Sequence, residues 1–258
     1  MGEHGTWFDY LNKFGWWHSI DEHAKHLLGR SWQWQMFGKS GWTLTHVLIA
    51  FLVLCFTAAG GIAFWRGLKR ADKGVTPSRT MNLRNFFEYT AEATYGMVEG
   101  AMGEKNAPKF LPLIGALWMF ILFGNLIGLI PGFVTPNDTL KTNVGIAVMV
   151  FLLTHYYGVK EHGLSYFKHF LGPTPALAPL ILPIELISHF ARPLSLSVRL
   201  LGNMMADHKV VMSFFALVPI LVPLPFMLLG LLVCLIQALV FCTLAMVYIG
   251  MAIEHEEH

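Results

Sequence analysis

The chain has 258 residues, 55% hydrophobic and only 13% charged, with a formal net charge of +2 and a mean hydropathy of +0.53. Soluble domains carry about 25% charged residues, so this composition excludes an ordinary soluble domain and reads as a polytopic, all-α membrane protein. The small net charge says little about partners; the lipid bilayer is expected as one, and no nucleic acid is.

The first 42 residues mix acids, lysines, histidines and tryptophans and contain no short apolar core of the kind a cleavable signal peptide has. They are read as an extracytoplasmic tail whose aromatic clusters, Trp7–Phe8, Trp16–Trp17, Trp32 and Trp34, suit a membrane interface. Residues 43–258 are read as a single membrane domain. A spanning helix needs about 20 mostly apolar residues, and Thr43 to Trp65 is the first such run. Asn82 to Glu104 follows. Its Leu83, Phe86, Phe87, Thr94, Met97 and Val98 recur at helical spacing, with Glu88, Glu92 and Glu99 opposite, which predicts an amphipathic helix lying in the interface. Phe110 to Val134, interrupted near Pro131, is the second span, and the shorter Val144 to Gly158 is the third. Ala176 to Leu217 is too long for one perpendicular crossing. The fifth run goes from Pro225 to about Ile253, with Pro219, Pro223 and Pro225 forming the turn before it. Cys55, Cys234 and Cys242 lie inside apolar runs without metal or disulfide spacing and are expected to be small buried residues.

Lys and Arg crowd the short loops on the cytoplasmic side of a membrane. Arg66, Lys69, Arg70, Lys73, Arg79 and Arg84 follow the first span, whereas only Lys141 separates the second from the third, and none separates the last two. The Arg66–Arg84 side is therefore expected to be cytoplasmic. Five crossings then leave the N-terminus outside and the C-terminus inside.

The fourth segment carries the chemistry. With Glu185 at zero on a helical wheel, Arg192 falls at about −20°, Arg199 at about −40°, Asn203 at about 0° and Asp207 at about 40°. Ser188 and His189 lie within about 60° on either side, and Ser195 a little further out. One face thus carries a polar stripe about 33 Å long, comparable with the hydrocarbon thickness. A solvated helix face does not account for it, because the flanks are too apolar; Ser188, Ser195 and Ser197 can equally be hydrogen-bonding glue between helices. An intramembrane Arg costs about 3 kcal/mol on insertion scales, and such residues face a partner or a water-filled cavity and mark ion pathways. Arg stays protonated and cannot pass protons, but it attracts a carboxylate and repels a mobile cation. Glu185, Asp207 and His208 can take and release protons. A fixed cation between proton carriers suggests two access paths separated by a charge barrier. On the last segment Gln237 shares a face with Gly230 and Tyr248. A buried Gln needs partners, and Arg199 and Asn203 are the nearest polar candidates.

"RPLSLSVRLLGNMMADH" (residues 192–208), followed by "IQALVFCTLAMVYIGMA" (residues 236–252) and preceded by "GNLIGLIPG" (Gly124–Gly132), resembles subunit a of the F-type ATP synthase over roughly Thr43 to Ala252. The resemblance implies two long, tilted helices packed against a rotating ring of c subunits, each bearing one carboxylate. It implies b subunits of the peripheral stalk and the remainder of the complex as partners, and a bacterial inner membrane as location. It implies a non-catalytic, proton-translocating subunit, with protons as the default ion and no cofactor or metal. Arg199 matches the essential arginine, which strips each arriving ring carboxylate of its proton and blocks direct leak between two half-channels. Glu185, Ser188 and Arg192 match the cytoplasmic half-channel, and Asn125, Asn203 and Gln237 the external one. Two departures stand out. The often acidic position three after Asn125 is Gly128. The usual ionisable pair, nine after the arginine and seven before the Gln, is His208 and Gly230, with Asp207 as an added acid. Asp207 and His208 together are therefore expected to form the external proton relay, unless "DHK" (Asp207–Lys209) is only an interfacial polar cluster.

Two readings from other classes compete. A secondary transporter needs paired interrupted helices in two related halves, and no such internal symmetry is present. A haem-bearing oxidoreductase could draw on His46, His155, His189 and His208, each more simply an interfacial or channel histidine. The terminal "HEEH" (His255–His258) reads as a solvated tail rather than a metal site.

Overall fold

The computed structural model describes residues 44–70, 83–130, 135–163, 178–217 and 223–253, together with Ser19, Phe133 and Tyr166. The aromatic tail, Lys73, Arg79, Pro219 and the terminal HEEH fall outside the described residues. What is described is helical throughout, with no strand among the described residues. The helices are α1 (Leu44–Arg70), α2 (Leu83–Met102), α3 (Ala107–Ile127), α4 (Leu140–His162), α5 (Ala178–Leu217) and α6 (Pro223–Ile253), with a short 3₁₀ turn at Pro136–Asp138. The fold class is the one expected.

The element boundaries differ from the hydropathy reading for local reasons. α1 runs on past Trp65 to Arg70, since a helix need not stop where its apolar run does. α3 starts before Phe110, with proline in its first turn, where the missing N–H costs nothing. It ends at Ile127, short of Pro131, because the residue before a proline is disfavoured in the helical region. α4 is longer than Val144–Gly158 by about a turn at each end and closes at Gly163. Pro223 and Pro225 lie inside the start of α6 rather than in the turn before it. Between α2 and α3 the chain reverses at Gly103, whose φ is +80°, a left-handed conformation that glycine adopts without penalty. Its N–H is donated to the Glu99 carbonyl at 2.9 Å, which ends α2.

α2 buries Phe87, Thr94, Val98 and Met102 against α1 and α3, while Glu92 and Glu99 stay exposed. Phe86 is exposed, and its ring meets those of Phe87 and Phe123. Cys55 is a correction: it is exposed on α1, whereas Cys234 and Cys242 are buried. An apolar run on a membrane helix can face lipid as readily as protein, so hydropathy alone does not report burial. The main core joins α2, α3, α4, α5 and α6 through Phe110, Ile114, Ile121, Val150, Leu200, Phe241 and Ile249. Near the α4 C-terminus, Lys109 lies 3.6 Å from Glu161 and over the Tyr157 ring. This pins the start of α3 to the end of α4.

Four helices contain windows long and apolar enough to cross a bilayer, in α1 (His46–Ala63), α3, α4 and α6. α5 is not among them, because its polar stripe lowers its hydropathy. Yet it is a continuous helix of 40 residues despite internal Pro183 and Pro193, and exposed apolar side chains stud it from Leu182 to Val210. That stretch rises about 42 Å, longer than the roughly 30 Å of a hydrocarbon layer, so it leaves room for tilt. The exposed row on α6 from Leu224 to Met251 is of similar length.

Candidate functional site

The polar stripe of α5 faces outward over its middle section. Arg199 and Asn203 are exposed, Glu185, Ser188, Arg192 and Asp207 are half-buried, and the helix buries Leu196, Leu200, Leu201 and Met204 instead. The surroundings of Arg199 are apolar. Leu194 and Val198 beside it are exposed, as are Leu228, Leu231, Leu232, Leu235, Ile236 and Leu239 of the neighbouring α6. Ser197 is not glue between helices: it is buried and donates to the Pro193 and Leu194 carbonyls of its own helix at 2.9 and 3.0 Å.

Gln237 is buried to 3% exposure and accepts at Oε1 a 2.7 Å hydrogen bond from Asn203 Nδ2. Of its two expected partners, Asn203 is the one in contact. This bond crosses α5 and α6 one turn beyond Arg199 and locks the two helices in register at the site.

Asp207 lies a further turn along. A Cβ placed on Gly230 would stand 2.6 Å from Asp207 Oδ2, 3.0 Å from Oδ1 and 2.8 Å from a Leu129 methyl carbon. The space over Gly230 is thus taken by the Asp207 carboxylate. Any side chain at position 230 would evict it. The His208 side chain is outside the described residues.

Asn125 sits at the inner end of a polar cluster that the sequence only half reveals. Its Oδ1 accepts from Asn137 Nδ2 at 2.6 Å, and Asn143 Nδ2 donates to the Asn137 carbonyl at 2.8 Å. Thr135 Oγ1 donates to the Gly124 carbonyl at 2.7 Å, so the 3₁₀ turn is bound directly to α3. Gly124 allows that approach, since a Cβ there would lie 3.0 Å from Asn137 Nδ2. All three amides are at most 1% exposed. Asn125 Nδ2, Asn137 Oδ1 and Asn143 Oδ1 lack a hydrogen-bond partner among the described residues, and buried groups of this kind ordinarily take water. Asn137→Leu strands the Asn125 carbonyl oxygen as well. It is expected to cost about 1–3 kcal/mol, read as a lower thermal midpoint of the detergent-solubilised protein, and an unchanged midpoint would show that the pair does not hold the turn.

At the other end of the stripe a second cluster joins three helices. His189 Nδ1 donates to the Glu185 carbonyl at 3.2 Å and lies 3.4 Å from Glu185 Oε1. Arg192 lies over the Tyr248 ring of α6, 5.3 Å from its centroid. His155 of α4 meets the His189 ring edge to face at 5.4 Å and the Tyr166 ring at 5.8 Å. Glu185 and Arg192 were legible as stripe residues, and Tyr248 as a face-mate of Gln237. His155 was not placed there, although a titratable residue inside the apolar "FLLTHYYG" was the available signal.

Residues 43–250 match the sequence family described as ATP synthase A chain. The chain is similar to ATP synthase subunit a 2 of Syntrophotalea carbinolica, 50% identical over 209 residues that cover 81% of this chain and 86% of that one. It is 54% identical over 172 residues to ATP synthase subunit a of Geobacter sulfurreducens, covering 67% and 75% of the two chains. It is 42% identical over 212 residues to the subunit a of Sorangium cellulosum, covering 82% and 81%. With its helical membrane architecture, the chain belongs to the ATP synthase A chain family, as a multi-pass membrane subunit of the ATP synthase.

Proposed function

We propose that the chain is the stator of the proton-translocating membrane sector, with the exposed face of α5 and α6 lying against a ring of c subunits. The single observation that carries this is Arg199, a permanent cation exposed in the middle of an apolar outer surface. Lipid does not tolerate such a group without a partner, and a passing membrane-embedded carboxylate is the complementary one. The external half-channel comprises Asn125, Asn203, Asp207, His208 and Gln237, and the cytoplasmic one Glu185, Ser188 and Arg192. Arg199 between them repels protons and forces each one to ride the ring. The N-terminus is outside and the C-terminus cytoplasmic, in the inner membrane of a bacterium, with b subunits of the peripheral stalk holding the chain still. In this reading the chain is a non-catalytic subunit that moves protons and leaves ATP chemistry to the rest of the complex.

A cysteine at exposed Val198, in a chain with Cys55, Cys234 and Cys242 replaced by alanine, is expected to form a disulfide with a cysteine set beside the carboxylate of a co-purifying ring proteolipid. Complete failure to cross-link in assembled complex would remove the ring from this face. Glu185→Gln is expected to slow proton release by roughly tenfold, below the usual loss for a positioned acid–base group, because Ser188 and water partly substitute. Proton flux unaltered from about pH 6 to 9, a range around the ordinary imidazole and α-amino values, would take Glu185 out of the path.

A further inference from the structure

The cluster of Glu185, His189, Arg192, His155 and Tyr248 contains more proton chemistry than the half-channel assignment uses. Both imidazoles are oriented the same way. His155 Nδ1 donates to the Phe151 carbonyl at 2.9 Å, and His189 Nδ1 to the Glu185 carbonyl at 3.2 Å. A carbonyl oxygen only accepts, so each Nδ1 carries the hydrogen and each Nε2 is the nitrogen that gains and loses a proton. A small cavity adjoins them, lined by Thr154, His155, His189, Arg192 and Tyr248, with room for about one water. In sequence His189 stands between Glu185 and Arg199 on the same helix, about 15 Å of rise from the arginine.

We propose that His155 and His189 form an imidazole pair that carries one proton at a time between the Arg199 region and Glu185. This rests on Glu185 lying in the exit path. His189 takes a proton at Nε2 and becomes an imidazolium. It then releases its Nδ1 proton to Glu185 Oε1, 3.4 Å away, and Glu185 passes that proton onward. The neutral Nε2–H ring left behind returns to the Nδ1–H form through the water of the adjoining cavity. The surrounding charges set where the proton is held. On α5, Arg192 repels the imidazolium from the ring side and Glu185 attracts it from the other. From α4, His155 in edge contact resists a second positive charge, so the pair holds a single proton. Tyr248 of α6 holds the Arg192 guanidinium over its face, and Tyr166 lies against His155. Neither tyrosine adds charge near neutral pH.

The test uses the assembled complex in inverted vesicles, with flux normalised to the amount of complex. His189→Gln keeps a side chain that can donate to the Glu185 carbonyl but cannot be protonated. It is expected to slow proton release by roughly tenfold, below the usual loss for a positioned acid–base group because water partly substitutes, and to flatten the dependence on cytoplasmic-side pH. His155→Gln is expected to shift that pH profile with a smaller loss of rate. His189→Ala is expected to recover flux when imidazole is added from the cytoplasmic side, a rescue that a purely structural histidine does not show. Normal flux in a His155→Gln/His189→Gln complex, or no rescue of a slowed His189→Ala complex, overturns the pair. Glu185→Gln run alongside separates the two claims: if it slows flux while the histidine variants do not, the pair fails and the exit path stands; if neither slows flux, both fail. Nitrogen-15 histidine spectra of the unsubstituted complex check the pair without any variant. An Nε2–H tautomer for neutral His189 would overturn it.

Discussion

Arg199→Ala is expected to abolish proton-driven ATP synthesis while leaving assembly of the complex largely intact. The packing argument comes first. Arg199 is exposed on α5, and the core side chains of that stretch are Leu196, Leu200, Leu201 and Met204, so truncating the arginine empties no cavity. The Asn203–Gln237 bond that fixes α5 on α6 does not involve it. The electrostatic argument sets the size. A guanidinium about 4 Å from a carboxylate contributes about 4 kcal/mol at an effective dielectric of 20, which is close to a thousandfold in the population of deprotonated ring carboxylate. Arg199→Lys is expected to fail nearly as badly, since an ammonium lacks the planar five-donor fork. Passive proton leak should rise in Arg199→Ala, because the barrier between the two half-channels is gone. The check is ATP synthesis and dye-reported leak in vesicles with measured complex abundance. Coupled synthesis at ordinary rates in the alanine variant would sink the stator assignment.

The second large effect is expected at the inlet. Asp207→Asn combined with His208→Ala should slow proton-driven synthesis roughly a hundredfold, the lower range for loss of a positioned acid–base group, and each single change should shift its pH optimum. The geometry at Gly230 adds a third route to the same result. A Cβ there would stand 2.6 Å from Asp207 Oδ2 and 2.8 Å from a Leu129 methyl carbon, so Gly230→Ala keeps both ionisable residues in the chain and displaces the carboxylate together with the Leu129 methyl. If the carboxylate position matters, Gly230→Ala slows inward proton flow while the Arg199-dependent block to leak is kept. If "DHK" is merely an interfacial cluster, the double variant and Gly230→Ala both pump normally at normal complex abundance.

The helices and the stripe were legible because period and hydropathy are local properties. Six helices emerge near the expected places, and Asn203 does meet Gln237. What escaped was set by tertiary approach. The carboxylate over Gly230 requires knowing that α5 and α6 touch at that height; the sequence marks only that a side chain is missing. Asn137 and Asn143 carry no sequence signal of their own; only the folding of the 3₁₀ turn back on α3, α4 and α5 makes them a buried amide cluster with Asn125. His155 stands on a helix with no polar stripe of its own, and only the packing of α4 on α5 brings it to His189. Cys55 was misjudged for the opposite reason, since water and lipid reward different faces of a helix and hydropathy does not say which solvent is present.

The length of α5 has a consequence for the direction of movement in the proposed stator. On an upright helix, the ends of the stripe would lie one above the other, and a particle entering at one end would leave directly beneath its entry point. Were the helix inclined by about 45°, a stripe about 33 Å long would have its ends displaced sideways by about 23 Å. Entry and exit would then lie at different compass bearings around any cylinder rolling past, and a particle carried by the cylinder could not descend without also travelling round. In that arrangement the slope of one helix would act as the pitch of a screw thread, turning a drop across the membrane into torque.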